Sequence, residues 1–248
     1  MKPMLAKQYD GSNPAGCWMS EKLDGVRALW DGSHLMSRND NEFAAPDWFI
    51  KGLPNDVILD GELWEGRGLF QQTVGKVRTK YNADWTGITF MVFDVVKAGT
   101  FEERMQSLGT FNLPPHVKIL QQIKCKGWNH LDEFERRILA LDGEGVMLRK
   151  SGSLYEHKRS SSLMKVKRFQ SQEVIVAGYE TGKGRNQGIV GALLCQFRSK
   201  IIRVGTGLSD DLRQIPPGIG SRITISFFEL TKNGLPRFPA YIACRDYE

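Results

Sequence analysis

The sequence predicts an α+β fold in two parts: antiparallel sheets with flanking helices over residues 1–168, then a small all-β barrel over residues 169–248. The first part combines apolar strands, turn signals and amphipathic helical stretches. The second part has five short strands separated by glycine-rich turns and almost no helical period, which is typical of a small barrel. With 248 residues, of which 41% are hydrophobic, the chain can bury a core in each part.

The first strands of the chain flank a lysine. An apolar strand breaks at residues 22–25 and resumes at residues 26–30, where Asp31-Gly32 is a strong hairpin signal. The returning strand leads to Arg38. We therefore expect Lys22 and Arg38 to lie in one antiparallel layer.

Later strands of the first part border on acidic residues. Residues 57–59 lead into Asp60 and Glu62, and a further strand begins at Glu144. Residues 88–96 are too apolar to have a solvated face, which predicts a central strand. One acid at the end of a strand is common in proteins. Three of them in the same domain as Lys22, a candidate nucleophile, suggest a shared site.

Two stretches predict helices. Residues 71–81 have a mixed helical pattern, and residues 129–141 place apolar side chains on one face, including Leu141. Asn129 is a suitable cap for the second helix. We therefore expect a helix that begins at Asn129 and packs through Leu141.

Basic residues concentrate in one segment. Between Arg149 and Arg168 there are seven basic residues and one acid, Glu156, so this segment has a net charge of +6, equal to that of the whole chain. Lys165 and Lys167 share one face of the strand near its end. This concentration predicts a polyanionic partner, most commonly phosphate, although a solvated basic loop is the alternative.

Composition also limits compartment and redox chemistry. No apolar run approaches the ~20 residues of a membrane span, and the N-terminus lacks the apolar core of a signal peptide. The sequence thus predicts no membrane association, in either a cytoplasmic protein or a trimmed mature form. The four cysteines have no metal-ligand spacing, which favours free thiols and leaves a disulfide open: Cys17, Cys125, Cys195 and Cys244.

Together these side chains suit nucleotidyl transfer. A free lysine amine has a pKa near ~10.4, so Lys22 requires burial, a metal or other cations to become a nucleophile. The carboxylates can hold Mg²⁺, and the metal and the paired lysines can spread the charge of a triphosphate. The same cluster of carboxylates, metal and lysines would then neutralise the charge of the substrate and lower the pKa of the Lys22 amine.

Six segments resemble the ordered motifs of the covalent nucleotidyltransferases, specifically the ATP-dependent DNA ligases. They are Lys22-Leu23-Asp24-Gly25-Val26-Arg27, Ser37-Arg38, Asp60-Gly61-Glu62-Leu63, Phe93-Asp94, Glu144-Gly145-Val146-Met147-Leu148 and Lys165-Val166-Lys167. Beyond residue 168, residues 182–185, 188–194, 204–207 and 237–246 resemble the OB-fold half of small ligases. The resemblance implies a nucleotidyltransferase (adenylation) domain followed by an OB-fold, and it is greatest to the minimal bacterial type called ligase E.

The resemblance implies a reaction and a set of residue roles. Lys22 would attack the α-phosphate of ATP to form lysyl-AMP, AMP would pass to the 5′-phosphate of a nick, and the 3′-hydroxyl would displace it. The nucleotide would be bound by Ser20, Glu21, Lys22, Arg27, Glu62, Phe93, Lys165 and Lys167, with Phe93 stacked on adenine. A metal, Mg²⁺ or Mn²⁺, would be held by Glu62 and Glu144. Arg237, Arg245 and Asp246 would orient the pyrophosphate.

Nicked duplex DNA is the partner that the resemblance implies, held through phosphate contacts that read no sequence. The candidate contacts are Arg27, Arg38, Lys76, Arg78, Arg149, Lys158, Arg159, Lys183 and Arg185. A minimal ligase of this type is expected to be a monomer with a role in DNA repair. Because ligase E-like proteins often carry an export signal, a periplasmic mature form is open beside a cytoplasmic protein.

Four alternatives stay open on the sequence. A GTP-dependent mRNA capping enzyme or an RNA ligase would share Lys22, Glu62 and the paired lysines. Residues 144–148 and 237–239 favour a DNA ligase over a capping enzyme. An NAD-dependent ligase fits less well, because the chain has no cysteine-rich zinc site. A catalytically idle nick-binding module is the alternative of another class.

Overall fold

The computed structural model describes residues 1–81, 84–166, 170–227, 230–231 and 233–245. The chain divides into two compact units, Met1–Lys167 and Arg168–Glu248. The domain boundary that the sequence predicts at residue 168 therefore falls between described segments. The α+β class is confirmed, with low helix content and mainly antiparallel sheets.

The described part of the first unit forms two five-stranded sheets, A and B. Sheet A has the order β1-β10-β9-β2-β8, and its strands are β1 Leu5–Gln8, β2 Trp18–Glu21, β8 Ile123–Lys124, β9 Val146–Arg149 and β10 Arg159–Val166. Sheet B has the order β4-β3-β5-β6-β7, and its strands are β3 Val26–Trp30, β4 Leu35–Ser37, β5 Leu59–Trp64, β6 Thr89–Val95 and β7 Val117–Ile119. Pairing is antiparallel except between β1 and β10 and between β6 and β7.

Sheet B follows from its sequence pattern. The predicted hairpin is confirmed: β3 pairs with β4, and Asp31 Oδ1 accepts hydrogen bonds from the backbone N–H groups of Ser33 (2.8 Å) and His34 (2.7 Å). The apolar segment at residues 88–96 forms β6, which lies between β5 and β7 and contributes Phe90 and Val92 to the core. The strand is thus central in the sheet, but Thr89, Met91 and Phe93 on its other face are only half-buried, so the expectation that no face is open is not met.

The expectation that Lys22 and Arg38 share one layer is wrong. Lys22 follows β2 of sheet A, whereas Arg38 follows β4 of sheet B. Residues 23–25 carry the chain from one sheet to the other. A Cβ on Gly25 would lie 2.5 Å from the Leu63 carbonyl oxygen and 2.8 Å from Glu62 Cγ, so only glycine permits this close passage beside β5.

The helices differ from the prediction in detail. They are α1 Asp47–Ile50, α2 Phe70–Arg78, α3 Phe101–Leu108 and α4 Trp128–Ala140 in the first unit. The cap predicted at Asn129 is wrong, because α4 begins at Trp128 after Gly127, which makes no side-chain cap. Leu131, Phe134 and Ile138 pack on sheet A, but Leu141 is 53% exposed beyond the end of α4.

The second unit contains one described sheet, in the order β13-β12-β11-β14-β15. Its strands are β11 Gln170–Thr181, β12 Val190–Phe197, β13 Lys200–Val204, β14 Arg222–Phe227 and β15 Ala240–Cys244, and the short helix α5 is Asp210–Gln214. The two edge strands approach each other: a parallel bridge joins Thr206, just after β13, to Ala240 of β15, and Tyr241 N donates to Thr206 O over 2.9 Å. The sheet is therefore a partly closed barrel, as in an OB-fold.

The state of the four cysteines agrees with the expectation of free thiols. All four cysteines are free, and Cys17, Cys125 and Cys195 are buried, so they act as small apolar residues in the cores. Among the described residues, none of the helices has both the length and the apolar composition that crossing a bilayer requires.

Candidate active site

The first unit contains a cleft of about 290 Å³ lined by residues of both sheets. Register places Ser20, Met147 and Lys165 side by side across β2, β9 and β10 of sheet A. In sheet B, Arg27 of β3 lies opposite Glu62 of β5. The cleft brings together most of the side chains that the sequence singled out: Ser20, Glu21, Lys22, Arg27, Arg38, Glu62, Phe93, Arg159 and Lys165.

Lys22 is held at the end of β2 by two contacts. Its backbone N–H donates to Gly145 O over 2.9 Å, which extends the ladder between β2 and β9 by one residue. Its Nζ forms an ion pair with Glu144 Oε2, and the two side chains are 23% and 11% exposed. The amine is thus fixed at the cleft beside a carboxylate that can accept a proton.

The environment of Glu62, an acid that lines the cleft, shifts the pKa of its carboxyl group. Burial raises the pKa of Glu62 to about 7, although the positive charges of Arg27 and Lys22 oppose the shift. A carboxyl group with this pKa changes charge near neutral pH. Its protonation therefore decides whether the cleft presents a carboxylate or a neutral hydrogen-bond donor.

The donor set fits a metal that is shared with a substrate. Glu62 lines the cleft, and the charge of Glu144, which pairs with Lys22, acts on it. Carboxylate oxygens are ligands that Mg²⁺ prefers. No group of three or more His, Cys, Asp or Glu side chains that could hold a metal occurs in the described residues. Two carboxylates suit an ion that takes its other ligands from water and phosphate oxygens.

Arg27 and Phe93 form an aromatic and cationic wall. Arg27 donates to both oxygens of Asp60, from Nε and Nη2, over 2.6 Å each, and its guanidinium lies 4.6 Å from the centroid of the Phe93 ring. The register of β5 and β6 shifts next to Asp60, so that Phe93 is the extra residue on β6. Such a bulge re-aims a side chain, and here Phe93 lines the cleft.

Behind this wall, Asp94 pairs with two buried arginines. It accepts from Arg104 over 2.7 and 3.1 Å and from Arg149 Nη2 over 2.9 Å, and Arg149 is 4% exposed. The expectation that Arg149 contacts DNA does not fit this placement, because its guanidinium is committed to a buried carboxylate. Arg149 instead joins β9 of sheet A to β6 of sheet B.

The other candidate DNA contacts fall into two groups. Lys76 pairs with Glu65 Oε1 over 2.5 Å and donates to Thr86 O over 2.8 Å, so its charge is largely compensated within the unit. Arg159 donates to Ala6 O at the cleft. Arg38 and Arg159 are exposed and also line the cleft, and the other exposed cations are Arg78, Lys158, Lys183 and Arg185.

The predicted C-terminal motif is only partly described. Arg237 lies over the Phe238 ring at 5.7 Å, and Arg245 Nε donates to Thr224 Oγ1 over 2.9 Å. Both residues lie in the second unit. Lys167 and Asp246, predicted for nucleotide binding and pyrophosphate orientation, lie outside the described residues.

Three residues in or behind the cleft were given no role by the sequence. Met147 lies between Ser20 and Lys165 in the register of sheet A, and strand alternation could have identified it. Arg67 donates to both oxygens of Glu21 over 2.8 Å each. Tyr155 donates to Asp60 Oδ2 over 2.6 Å. The last two contacts join distant chain segments and leave no local signal.

Comparisons with known proteins agree with this geometry. Residues 3–167 match the family described as "ATP dependent DNA ligase domain", and residues 181–245 match "DNA ligase OB-like domain". A DNA ligase of Haemophilus influenzae is 36% identical over 243 residues, which cover 96% of this chain and 90% of that protein.

Solved structures support the same grouping. A structure from a structure–function study of Lig E DNA ligases, described as binding DNA with a minimal scaffold, is 37% identical, with a TM-score of 0.91 over 99% of both chains. The Chlorella virus DNA ligase-adenylate, 24% identical with a TM-score of 0.60 over 100% of this chain and 99% of that one, shares the fold.

A cleft lysine between two sheets, followed by an OB-type unit, defines a covalent nucleotidyltransferase. With a family match over residues 3–167 and a DNA ligase relative at 36% identity, the chain belongs to the family of ATP-dependent DNA ligases.

Proposed function

We propose that this protein seals nicks in duplex DNA by forming a lysyl-AMP on Lys22. The observation that carries the proposal is the placement of Lys22: its amine lies in a cleft beside Glu144, and Arg27, Glu62 and Phe93 line the same space. A lysine held against carboxylates at a nucleotide-sized cleft is the arrangement that covalent nucleotidyl transfer requires.

In the first step, the Lys22 amine attacks the α-phosphorus of ATP. A phosphorus–nitrogen bond forms, the bond to the bridging oxygen of the β-phosphate breaks, and pyrophosphate leaves. Glu144 is the nearest base to accept the proton of the amine. Two further displacements at phosphorus move AMP to the 5′-phosphate of the nick and then release it as the 3′-hydroxyl joins the strand.

The remaining cleft residues bind and orient the nucleotide. Phe93 offers a face for the adenine ring, with Met147 on sheet A as an apolar contact. Glu62 as a carboxylate can accept hydrogen bonds from the ribose, and Lys165 offers a cation to phosphate. A divalent metal held by Glu62 and Glu144 would neutralise phosphate charge. We propose Mg²⁺ for this role, with Mn²⁺ able to replace it.

DNA binding would rest on the exposed cations. In the second unit, Lys183 and Arg185 lie on a glycine-flanked turn around the 3₁₀ helix Gly184–Asn186, which allows close approach to a phosphate backbone. Arg78 and Lys158 extend the basic surface of the first unit. We further propose that the protein acts as a monomer in DNA repair.

The test is intact-protein mass after incubation with ATP, GTP or NAD and Mg²⁺. We expect the parent to gain one AMP from ATP and Lys22→Ala to gain none, with Lys7→Ala as a matched lysine control that keeps the adduct. Sealing of a nicked duplex is then assayed directly. A GMP adduct would indicate a capping enzyme. No adduct from any nucleotide, in protein first treated with pyrophosphate, would refute the mechanism and favour a binding module.

A further inference from the structure

Four residues from four separate segments close a hydrogen-bonded ring behind the cleft. Arg27 donates to Asp60 and, from Nη2, to Met4 O over 3.1 Å. Met4 N in turn donates to the Tyr155 hydroxyl over 3.2 Å, and this hydroxyl donates to Asp60 Oδ2 over 2.6 Å. We call these four residues the Arg27 ring. Because each of them is hydrogen-bonded to two others, a shift of one side chain would disturb its neighbours in the ring.

Because the Arg27 ring is largely buried, each of its polar groups needs a hydrogen-bond partner within the protein. Asp60 and Met4 are fully buried, and the Arg27 side chain is 19% exposed. Burial, and then the negative charge of Asp60, raise the pKa of Tyr155 far above its ordinary value. The hydroxyl therefore stays protonated, donates to Asp60 and leaves a lone pair for Met4 N.

The Arg27 side chain could pair with either of two acids, Asp60 or Glu62. Glu62 lies directly opposite Arg27 in the register of β3 and β5, and the charge of Arg27 acts on Glu62. In the Arg27 ring the guanidinium instead donates to Asp60 and lies over the Phe93 ring, 4.6 Å from its centroid. This leaves the Glu62 carboxyl to face the cleft.

We propose that Tyr155 is a positioning residue for nucleotide binding: it fixes Asp60 and Met4, and through them the orientation of Arg27 over Phe93. The proposal rests on the proposed function, since it assigns the base and ribose subsite to the wall that Arg27, Phe93 and Glu62 form. Tyr155 itself does not line the cleft. It acts on the nucleotide only through Arg27.

The test measures ATP affinity by calorimetry in the full-length Lys22→Ala protein, where chemistry cannot follow binding. Tyr155→Phe removes one hydroxyl and keeps the ring, and we expect it to weaken ATP binding by about five- to tenfold, the equivalent of one lost buried hydrogen bond. Tyr9→Phe is the matched control, because it also removes one tyrosine hydroxyl, which in this case donates to the Ser12 carbonyl outside the cleft lining. It should leave ATP affinity unchanged.

A double-mutant cycle separates positioning from general loosening of the fold. Arg27→Lys keeps the charge beside Asp60 but cannot make the forked contact, and it tests the Arg27 ring without changing Tyr155. We expect Tyr155→Phe to change ATP affinity by less than about twofold in the Arg27→Lys background, because the path through Arg27 is already broken.

Two results would overturn the proposal: equal ATP affinity in Tyr155→Phe and parent, or the full weakening retained in the Arg27→Lys background. Failure of the proposed function looks different, since the protein with Lys22 intact would then bind ATP without gaining AMP. A protein that binds no ATP at all would overturn both.

Discussion

Fully buried carboxylates paired with arginine distinguish the first unit from the described part of the second. In the first unit, Asp60 and Asp94 are fully buried and each accepts two bonds from an arginine. In the second unit, the described pairs lie in solvent: the side chains of Arg203 and Glu180 are 60% and 40% exposed, and those of Arg185 and Asp210 are 83% and 74% exposed.

This difference in burial suits the ion pairs to different tasks: a buried pair positions its neighbours, and an exposed pair leaves a cation able to attract an anion. A buried ion pair has lost its hydration, so it persists only in one well-formed geometry and holds its neighbours in place. An exposed pair contributes little to stability, and its cation can exchange a carboxylate for a phosphate. The buried arginines of the first unit thus shape a cleft, whereas Arg185 and Arg203 of the second unit stay exposed and able to exchange partners.

The largest effect is expected from Asp94→Asn. It removes the charge that compensates Arg104 and Arg149, which are 0% and 4% exposed. Loss of one partner of a buried ion pair costs about 3–5 kcal/mol. The thermal midpoint of the first unit should fall by roughly 10 °C in calorimetry.

The matched change in the second unit is Glu180→Gln, which breaks the exposed pair with Arg203. It should leave the thermal midpoint unchanged within error. Equal effects of the two substitutions would contradict the distinction between buried and exposed pairs.

The second effect concerns Glu62. Because its pKa is about 7, the rate of lysyl-AMP formation should rise with pH through 7 as the carboxylate forms, with about a tenfold loss per pH unit below it. Glu62→Gln should be slow and should lose this dependence. Single-turnover adenylation between pH 5.5 and 9 measures it; a wild-type profile flat across pH 7 would argue against the role.

The pH dependence of stability gives an independent check. The contribution of Glu62 to the free energy of unfolding should fall as pH rises, whereas the rate of lysyl-AMP formation should increase. The folded-state pKa of Glu62 is raised above its ordinary value of 4.5, so the folded protein keeps this proton when the unfolded chain has lost it. The contribution of Glu62 to stability is therefore complete below pH 4.5 and is lost as pH rises through 7. Denaturant unfolding of parent and Glu62→Gln should diverge across this window.

The smallest effect is expected at single cations of the second unit. Lys183→Ala and Arg185→Ala should each lower the slope of log affinity for nicked duplex against log salt concentration by about 1, with no change in Tm. Arg203→Ala removes an exposed cation outside the turn at residues 183–185 and so controls for a general loss of positive charge. Fluorescence anisotropy from low to moderate salt measures these slopes, and identical slopes for all three variants would contradict a contact at residues 183–185.

Local pattern was sufficient wherever neighbours in sequence decide the structure. The hairpin at Asp31, the apolar β6 and the five strands of the second unit could all be predicted from turn chemistry and periodicity. Helix ends were harder. The α4 cap was misplaced because Gly127 allows the chain to turn without a capping side chain, and α3 was missed although Thr100 and Glu103 form a capping box.

The residue types of the cleft were visible in the sequence, but their partners were not. Lys22, Glu62, Phe93 and Glu144 were singled out by motif, and the structure places them around one cleft or, for Glu144, against Lys22. Arg149 was interpreted as a surface cation because it opens a basic segment. Its burial depends on Asp94, which is 55 residues away in sequence.

The sequence by itself thus determined the class of the protein, its strand order along the chain and the identity of the lysine, since these depend on local periodicity and on ordered motifs. Only the tertiary structure decided which charges are buried, which acid each arginine takes and how Tyr155 and Met4 reach Arg27. The physical reason is that desolvation and pairing depend on the strands that pack around a group, and these come from distant parts of the chain.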